Sequence, residues 1–239
     1  MWAGPLCAHL LGLAGLAVVK VESISRPDGA RGGPEGFYDL LHAGHRSVAL
    51  DFASELDRSL LARLIESADV VIESSRPRAL DHLGLGPELS LGLSPGLVWV
   101  SITAYGRTGP WCNRVGFGDD TAASAGLVVS GPDGRPMLCG DAIADPIAGL
   151  DAALAALGML CSGSGGLVDV AMRDAVAWTL AGQPVRPPTA AGARRLDGSW
   201  SLDTAFGSVP VMGPRARTPA GHAAPMGVDN GVVLAGLTR

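Results

Sequence analysis

The sequence predicts an α/β protein, in which an open parallel β-sheet is covered by helices on both faces. Three observations predict it. Short runs rich in Val and Ile, at 18–22, 47–50, 69–73 and 97–103, have the length of strands. Stretches with apolar residues at helical spacing stand between them. The joins are short, and strands alternating with helices across short joins make parallel sheets with helices on the faces. Hydrophobic residues make up 47% of the 239 and charged ones only 17%, enough apolar material for a sizeable core.

In chain order, Ala3-Gly4-Pro5 opens a helix to about Leu13, and Gly15 ends it ahead of a strand over 17–22. Residues 25–36, rich in Gly, Pro and Arg, form a loop before a short helix over 37–41. A strand over 47–50 closes at Asp51. Ser54 then caps a helix through Glu66, with Leu56, Leu60, Leu61, Leu64 and Ile65 on one face. A buried strand over 69–73, a short helix over 78–83 and a strand over 97–103 follow. Residues 105–118 are a polar, Gly-rich loop; Asp119 or Asp120 starts a helix of small residues, and Gly131-Pro132-Asp133-Gly134 is a turn. A strand over 167–171 leads into a helix over 172–180, a Pro- and Arg-rich linker, a short strand over 200–206, an extended stretch and a weak final helix.

The chemistry centres on Asp145. It ends a loop and meets Pro146, which suits the first position of a helix, so Asp145 reads as an N-cap. Ile147, Leu150, Leu154, Leu157 and Cys161 continue as the apolar stripe that packs this helix. The helix dipole and free N–H groups then keep the carboxylate ionised, and an ionised, fixed carboxylate can act as a nucleophile. On the residues alone the capping role is the commoner one.

Other features exclude function classes. The net charge of −5 with no Lys/Arg run disfavours nucleic acid as a partner. Cys7, Cys112, Cys139 and Cys161 stand singly and read as buried thiols of a cytoplasmic protein, not as a metal set. His42, His45 and His82 match no zinc spacing and are expected at the surface or beside phosphates. The apolar start, residues 2–19, lacks a preceding Lys or Arg and is broken by His9, so it is not taken as a signal peptide; no other run is read as a membrane span.

Taken in succession, several segments resemble one family, the class III CoA-transferases (CaiB/BaiF: formyl-CoA and carnitine CoA-transferases and α-methylacyl-CoA racemases). They are Ala3-Gly4-Pro5; Val18-Val19-Lys20-Val21-Glu22 with Arg31; Arg46 to Asp51; Asp69 to Glu73 with Arg76-Pro77; Ser101 to Pro110; Ala144-Asp145-Pro146-Ile147-Ala148-Gly149; and Val168-Asp169-Val170. The resemblance runs from residue 2 to about 180 and implies a Rossmann-like fold. It implies that Asp145 is the nucleophile, forming a mixed anhydride and then an aspartyl-CoA thioester while CoA moves between carboxylic acids. By the same resemblance Trp2, Ala3, Arg31, Leu50, Ala53, Ser74, Ser75, Arg76, Arg107 and Arg114 line the CoA path. CoA or acyl-CoA enters as substrate, with no permanently bound cofactor and no metal, and the protein is a homodimer.

Three departures qualify the resemblance. Phe117 stands where the racemase branch has a His, and Phe cannot move a proton. The family's small domain is largely missing, so the expected layout is a large domain over 1–182, a linker over 183–199 and a segment over 200–239 that returns to the large domain. The strand that precedes Ala-Gly-Pro in the family, in the middle of the sheet, has no counterpart in these residues. The leading reading is an acyl-CoA:carboxylate CoA-transferase, followed by a CoA-binding relative without turnover, and then a racemase.

Overall fold

The computed structural model describes residues 2–131, 133–181, 193–196, 198–204, 206–213, 215 and 217–237. The elements are α1 (Ala3–Leu13), β1 (Val19–Ser23), a 3₁₀ turn (Gly29–Gly32), α2 (Glu35–His42), β2 (Arg46–Leu50), α3 (Glu55–Glu66), β3 (Val70–Glu73), α4 (Arg78–Asp81), α5 (Pro87–Leu93) and β4 (Val98–Thr103). They continue with α6 (Gly118–Ser124), β5 (Val128–Ser130), β6 (Pro136–Leu138), α7 (Ala144–Ser162), β7 (Gly166–Ala171), α8 (Met172–Leu180), β8 (Ala193–Leu196), β9 (Ser199–Thr204), β10 (Gly207–Pro210) and α9 (Asn230–Gly236).

The parallel strands are present but fall into two sheets, β1–β2 and β3–β4–β7. β4 is central and buried throughout, so its run of Val, Trp and Ile is apolar on both faces, as a doubly covered parallel strand requires. Val98, Val100 and Ile102 join a core shared with α1, α7 and α8. Trp99 joins a second core with Val48, Leu50, Leu61 and Ile65, so helices do cover both faces.

Most elements form where the periodicity places them, and Ser54 does cap α3, accepting the Asp57 N–H. α5 was not expected, although Pro87 at its first position and Glu88 in its first turn are helix-start signals. The turn near Asp133 joins an antiparallel pair, β5–β6. The stretch read as linker is only partly so: β8 lies within it and pairs with β9, which pairs with β10, while residues 182–192 lie outside the described residues. From the C-terminal segment, Asp229 accepts the Ser47 N–H at 2.8 Å, and Asn230 both accepts from Ala49 N at 2.9 Å and donates to Ala49 O at 2.8 Å. An amide side chain thus takes the place of a neighbouring strand along the free edge of β2.

The packing of α7 meets the expected stripe only in part: Ile147 and Leu157 pack against the core, while Cys161 is exposed. Ala144, Ala148, Gly149, Ala152, Ala153 and Ala156 face the core, while Leu150 and Leu154 are 54% and 72% exposed. The reason is proximity to α1: a Cβ on Gly149 would lie 2.8 Å from the Ala3 carbonyl oxygen. Only small side chains let two helices approach so closely, and close packing outweighs the larger transfer energy of Leu. By length and composition α7 could cross a membrane, contrary to the sequence reading, yet its small-residue face is part of the core. Two further expectations fail. Only Cys7 is a buried thiol, its pKa pushed up to about 12 by burial. His42 is buried against Tyr38, with ring centroids 4.4 Å apart, and not at the surface.

Candidate active site

The loops after the parallel strands and the start of α1 enclose a cleft of about 310 Å³. This is where parallel sheets place ligands, beyond the carboxyl ends of their strands. Asp145 opens into it. The helix begins two residues earlier than expected, at Ala144, and Ile143 is its N-cap, so Asp145 does not cap its own helix. Its Oδ1 instead accepts the N–H of Ala3, the first residue of α1, at 3.2 Å. A residue 142 positions away thus fixes the carboxylate.

Backbone closes in on the other oxygen. A Cβ on Gly118 would overlap Asp145 Oδ2 and lie 2.5 Å from Ala142 O, so only glycine fits at the start of α6. Ala142 carries φ +47°, the left-handed region that costs a residue with a Cβ about 1–2 kcal/mol. Two bonds hold it there. Asp119 accepts its N–H at 2.9 Å, and its carbonyl accepts from Asp145 N at 2.9 Å. Of the two acids expected to start α6, Asp119 therefore braces the Asp145 turn, and Asp120 accepts the Phe117 N–H.

Electrostatics also differ from the expectation. Burial is the largest influence on Asp145 and pushes its carboxyl above the ordinary value. The N–H groups of Ala3 and Gly118 pull in the opposite direction, and Asp119 adds repulsion. A partly desolvated carboxylate of this kind is a better nucleophile or base than a solvated one.

The residues expected along the CoA path divide. Trp2, Ala3, Ser74, Ser75, Arg76 and Arg114 line the cleft with Asp145. Arg31, Leu50, Ala53 and Arg107 do not line it. Leu50 is a fully buried core residue, and Ala53 spends its N–H on Asp51. Arg31 is ion-paired with Glu22 at 2.5 Å and lies over the Tyr38 ring, 4.9 Å from its centroid. Arg107 is buried against Glu73, with Ser101 Oγ at 3.2 Å. Phe117 lines the cleft in the place noted for a base. Sequence reasoning missed Arg26 and Cys112, which also line it; Arg26 follows β1 directly, in the Gly/Pro/Arg-rich loop, and that position was its only signal. Among the described residues one group has metal-ligand character, Glu35, Asp39 and His222. It lies outside the cleft, and Asp39 already pairs with His222 at 3.0 Å.

Comparisons with known proteins agree on one family. The family pattern described as CoA-transferase family III matches residues 1–208. The succinyl-CoA–D-citramalate CoA-transferase of Chloroflexus aurantiacus is 33% identical over 73% of this chain and 46% of its own length. The succinate–glutarate CoA-transferase of Agrobacterium fabrum is 32% identical over 80% of this chain and 54% of its own. The chain thus spans about half the length of the curated relatives it matches. Among solved structures, a CaiB/BaiF family protein from Brucella suis superposes with a TM-score of 0.72 at 30% identity, covering 87% of this chain and 61% of that one. The Rv3272 protein of Mycobacterium tuberculosis gives 0.75 at 31%, over 85% and 60%.

Proposed function

Because the chain belongs to CoA-transferase family III, we propose that it moves CoA from an acyl-CoA to a carboxylic acid, with Asp145 as the covalent carrier. One observation carries the reading: a partly buried carboxylate, one oxygen of which accepts the Ala3 N–H, opens into a cleft also lined by three arginines, Arg26, Arg76 and Arg114, that pair with no carboxylate among the described residues. In this reading Asp145 Oδ2 attacks the thioester carbonyl, and the tetrahedral adduct expels CoA thiolate to leave a mixed anhydride. The thiolate attacks the aspartyl carbonyl and releases the first acid as its carboxylate, leaving an aspartyl-CoA thioester. The acceptor carboxylate attacks that thioester and frees the thiolate again. The thiolate then attacks the acceptor's carbonyl, giving the new acyl-CoA and free Asp145. No net proton or electron is consumed.

The geometry supports a division of labour between the two carboxylate oxygens. When the thiolate attacks the aspartyl carbonyl, charge builds on Oδ1, which already accepts the Ala3 N–H. A donor placed in advance where charge develops is worth about 10²–10³ in rate. CoA needs no resident cofactor in this scheme. Phe117 at the cleft speaks against racemisation, since it offers no proton-transfer group. A cytoplasmic homodimer remains part of the proposal, and the apolar faces left exposed by Leu150, Leu154 and Trp178 favour a second copy; light scattering measures it.

Mass spectrometry of the full chain incubated with acyl-CoA tests the chemistry. The expected result is a CoA adduct on Asp145 that hydroxylamine converts to a hydroxamate, and that Asp145→Asn abolishes. CoA binding with no adduct would leave a CoA-binding relative without turnover.

A further inference from the structure

Among the described residues, Ala142 is the one position other than glycine whose backbone turns left-handed, at φ +47°. Strain of that kind persists only where the surroundings enforce it, and it gathers where function needs it. The enforcement here comes from one side chain. Asp119, in the first turn of α6, accepts the Ala142 N–H through Oδ1 at 2.9 Å. The Ala142 carbonyl in turn accepts the Asp145 N–H at 2.9 Å. Asp119 is thus joined to Asp145 through a single residue, Ala142, from 23 positions up the chain. Asp120, its neighbour, faces its own helix start, where it accepts the Phe117 N–H at 3.0 Å. The influences on Asp145 are opposed in sign. The N–H groups of Ala3 and Gly118 favour its charged form, while burial and the negative charge of Asp119 work against it. Arg26, Arg76 and Arg114 line the same cleft.

Resting on the transfer reading above, we propose that Asp119 is a positioning residue for Asp145 with two separable actions: it holds Ala142 in the turn that aims the carboxylate, and its fixed charge favours the acylated carboxylate over the free one. The first action follows from the geometry. A Cβ on Gly118 would overlap Asp145 Oδ2 and lie 2.5 Å from Ala142 O, so the start of α6, the Ala142 turn and the carboxylate have no slack between them. Releasing the Ala142 N–H lets the turn relax and moves the oxygen that must attack. The second action follows from the step itself. As Asp145 Oδ2 bonds to the acyl carbon and the C–S bond breaks, the negative charge leaves Asp145 on the CoA sulfur. The mixed anhydride and the aspartyl-CoA thioester are both neutral at this position. Like charges in a partly desolvated site repel, and acylation removes one of the two. Asp119 makes no bond to substrate in this scheme. It destabilises the resting carboxylate and leaves the covalent intermediates untouched, so the intermediates accumulate.

Variants of the full chain separate the two actions. Asp119→Asn keeps an oxygen for the Ala142 N–H and loses the charge; Asp119→Ala loses both; Asp120→Asn removes an equal charge that the fold directs elsewhere. After incubation with succinyl-CoA, intact-mass spectrometry measures the CoA adduct on Asp145. The adduct fraction is expected to fall about 3- to 10-fold in Asp119→Asn. Its rate of formation is expected to fall about 10- to 100-fold in Asp119→Ala. Glycine takes a left-handed turn without enforcement, so Asp119→Ala/Ala142→Gly should recover the part of that loss not shared with Asp119→Asn. A second readout needs no turnover: a water-soluble carbodiimide labels the protonated carboxyl, and peptide mapping across a pH series gives the labelling midpoint of Asp145. That midpoint should move to lower pH in Asp119→Asn and stay in Asp120→Asn, a displacement that a brace alone does not produce. An unchanged midpoint in Asp119→Asn, or an equal shift in Asp120→Asn, overturns the charge action. Asp119→Ala no slower than Asp119→Asn, or no recovery with Ala142→Gly, overturns the brace. If the unaltered chain forms no adduct, the transfer reading fails separately, and the labelling midpoints still decide the charge action of Asp119.

Discussion

Two sets of arginines in this molecule look alike in the sequence and do opposite things. Arg31 and Arg107 are ion-paired with Glu22 and Glu73, and they hold loops to strands. Arg107 does so across a whole sheet. Glu73, Ser101 and Asp169 are register partners on β3, β4 and β7; the Arg107 side chain bonds the first two, and its backbone N–H donates to Asp169 at 3.0 Å. Arg26, Arg76 and Arg114 have no carboxylate partner among the described residues and face the cleft. A paired guanidinium has already spent its charge on the fold, and an unpaired one at a cleft retains it for a ligand.

The widest gap between the sets is expected in stability. Arg107→Ala leaves Glu73 buried without its cation, and Glu73 Oε2 already lacks a partner, so urea unfolding should show a loss of about 3–5 kcal/mol. The double variant Arg107→Met/Glu73→Leu should recover most of it; failure to recover would mean that the pair is not the cause. Arg31→Ala should cost less, about 1–3 kcal/mol, because the Arg31 side chain is 21% exposed and water can reach part of the site.

A pH series sharpens the same contrast from the side of Lys20, which lies 3.4 Å from the buried His42. Burial, and then the charge of Lys20, lower the pKa of His42 to about 3; burial, then His9 and Lys20, lower that of His45 to about 4. Both folded values lie below the unfolded one, so the unfolded chain binds protons first. Their contribution to stability is present above about pH 6.5 and lost as pH falls toward 4 and 3, at about 1.4 kcal/mol per unit of depression. Denaturant midpoints between pH 7 and 4 should fall, and should fall less in His42→Gln. The smallest stability effects belong to the cleft set. Arg26→Ala and Arg76→Ala should change stability by no more than about 0.5 kcal/mol. Each should weaken CoA binding about 5- to 10-fold and reduce its salt dependence in calorimetry. A large stability loss in either would erase the distinction.

The strands and long helices were legible because burial on two faces, or on one stripe, writes a period into the chain; the helix expected over 172–180 is α8 itself. β5, β6 and β8 were not legible, since short strands with little burial carry no such period. Within the cleft, Asp145 was singled out by the resemblance, its expected capping role is taken by Ile143, and its Ala3 partner was not legible. The Ala3 N–H belongs to every sequence equally, and only the fold brings it there. The arginine roles were hidden for the same reason, because ion-pair partners such as Glu73 and Arg107 are 34 residues apart. The inward face of α7 was misread because apolar counting ranks Leu above Ala, whereas the narrow gap to α1 selects by size.

That narrow gap reaches further than packing. The Ala3 carbonyl that Gly149 nearly touches belongs to the residue whose N–H holds Asp145. A single methyl added at Gly149 would have to displace α1, and the carboxylate's anchor would move with it. Sequence drift in this protein should therefore be frozen on the inner, small-residue side of α7, where a change of bulk would be felt as a change in chemistry.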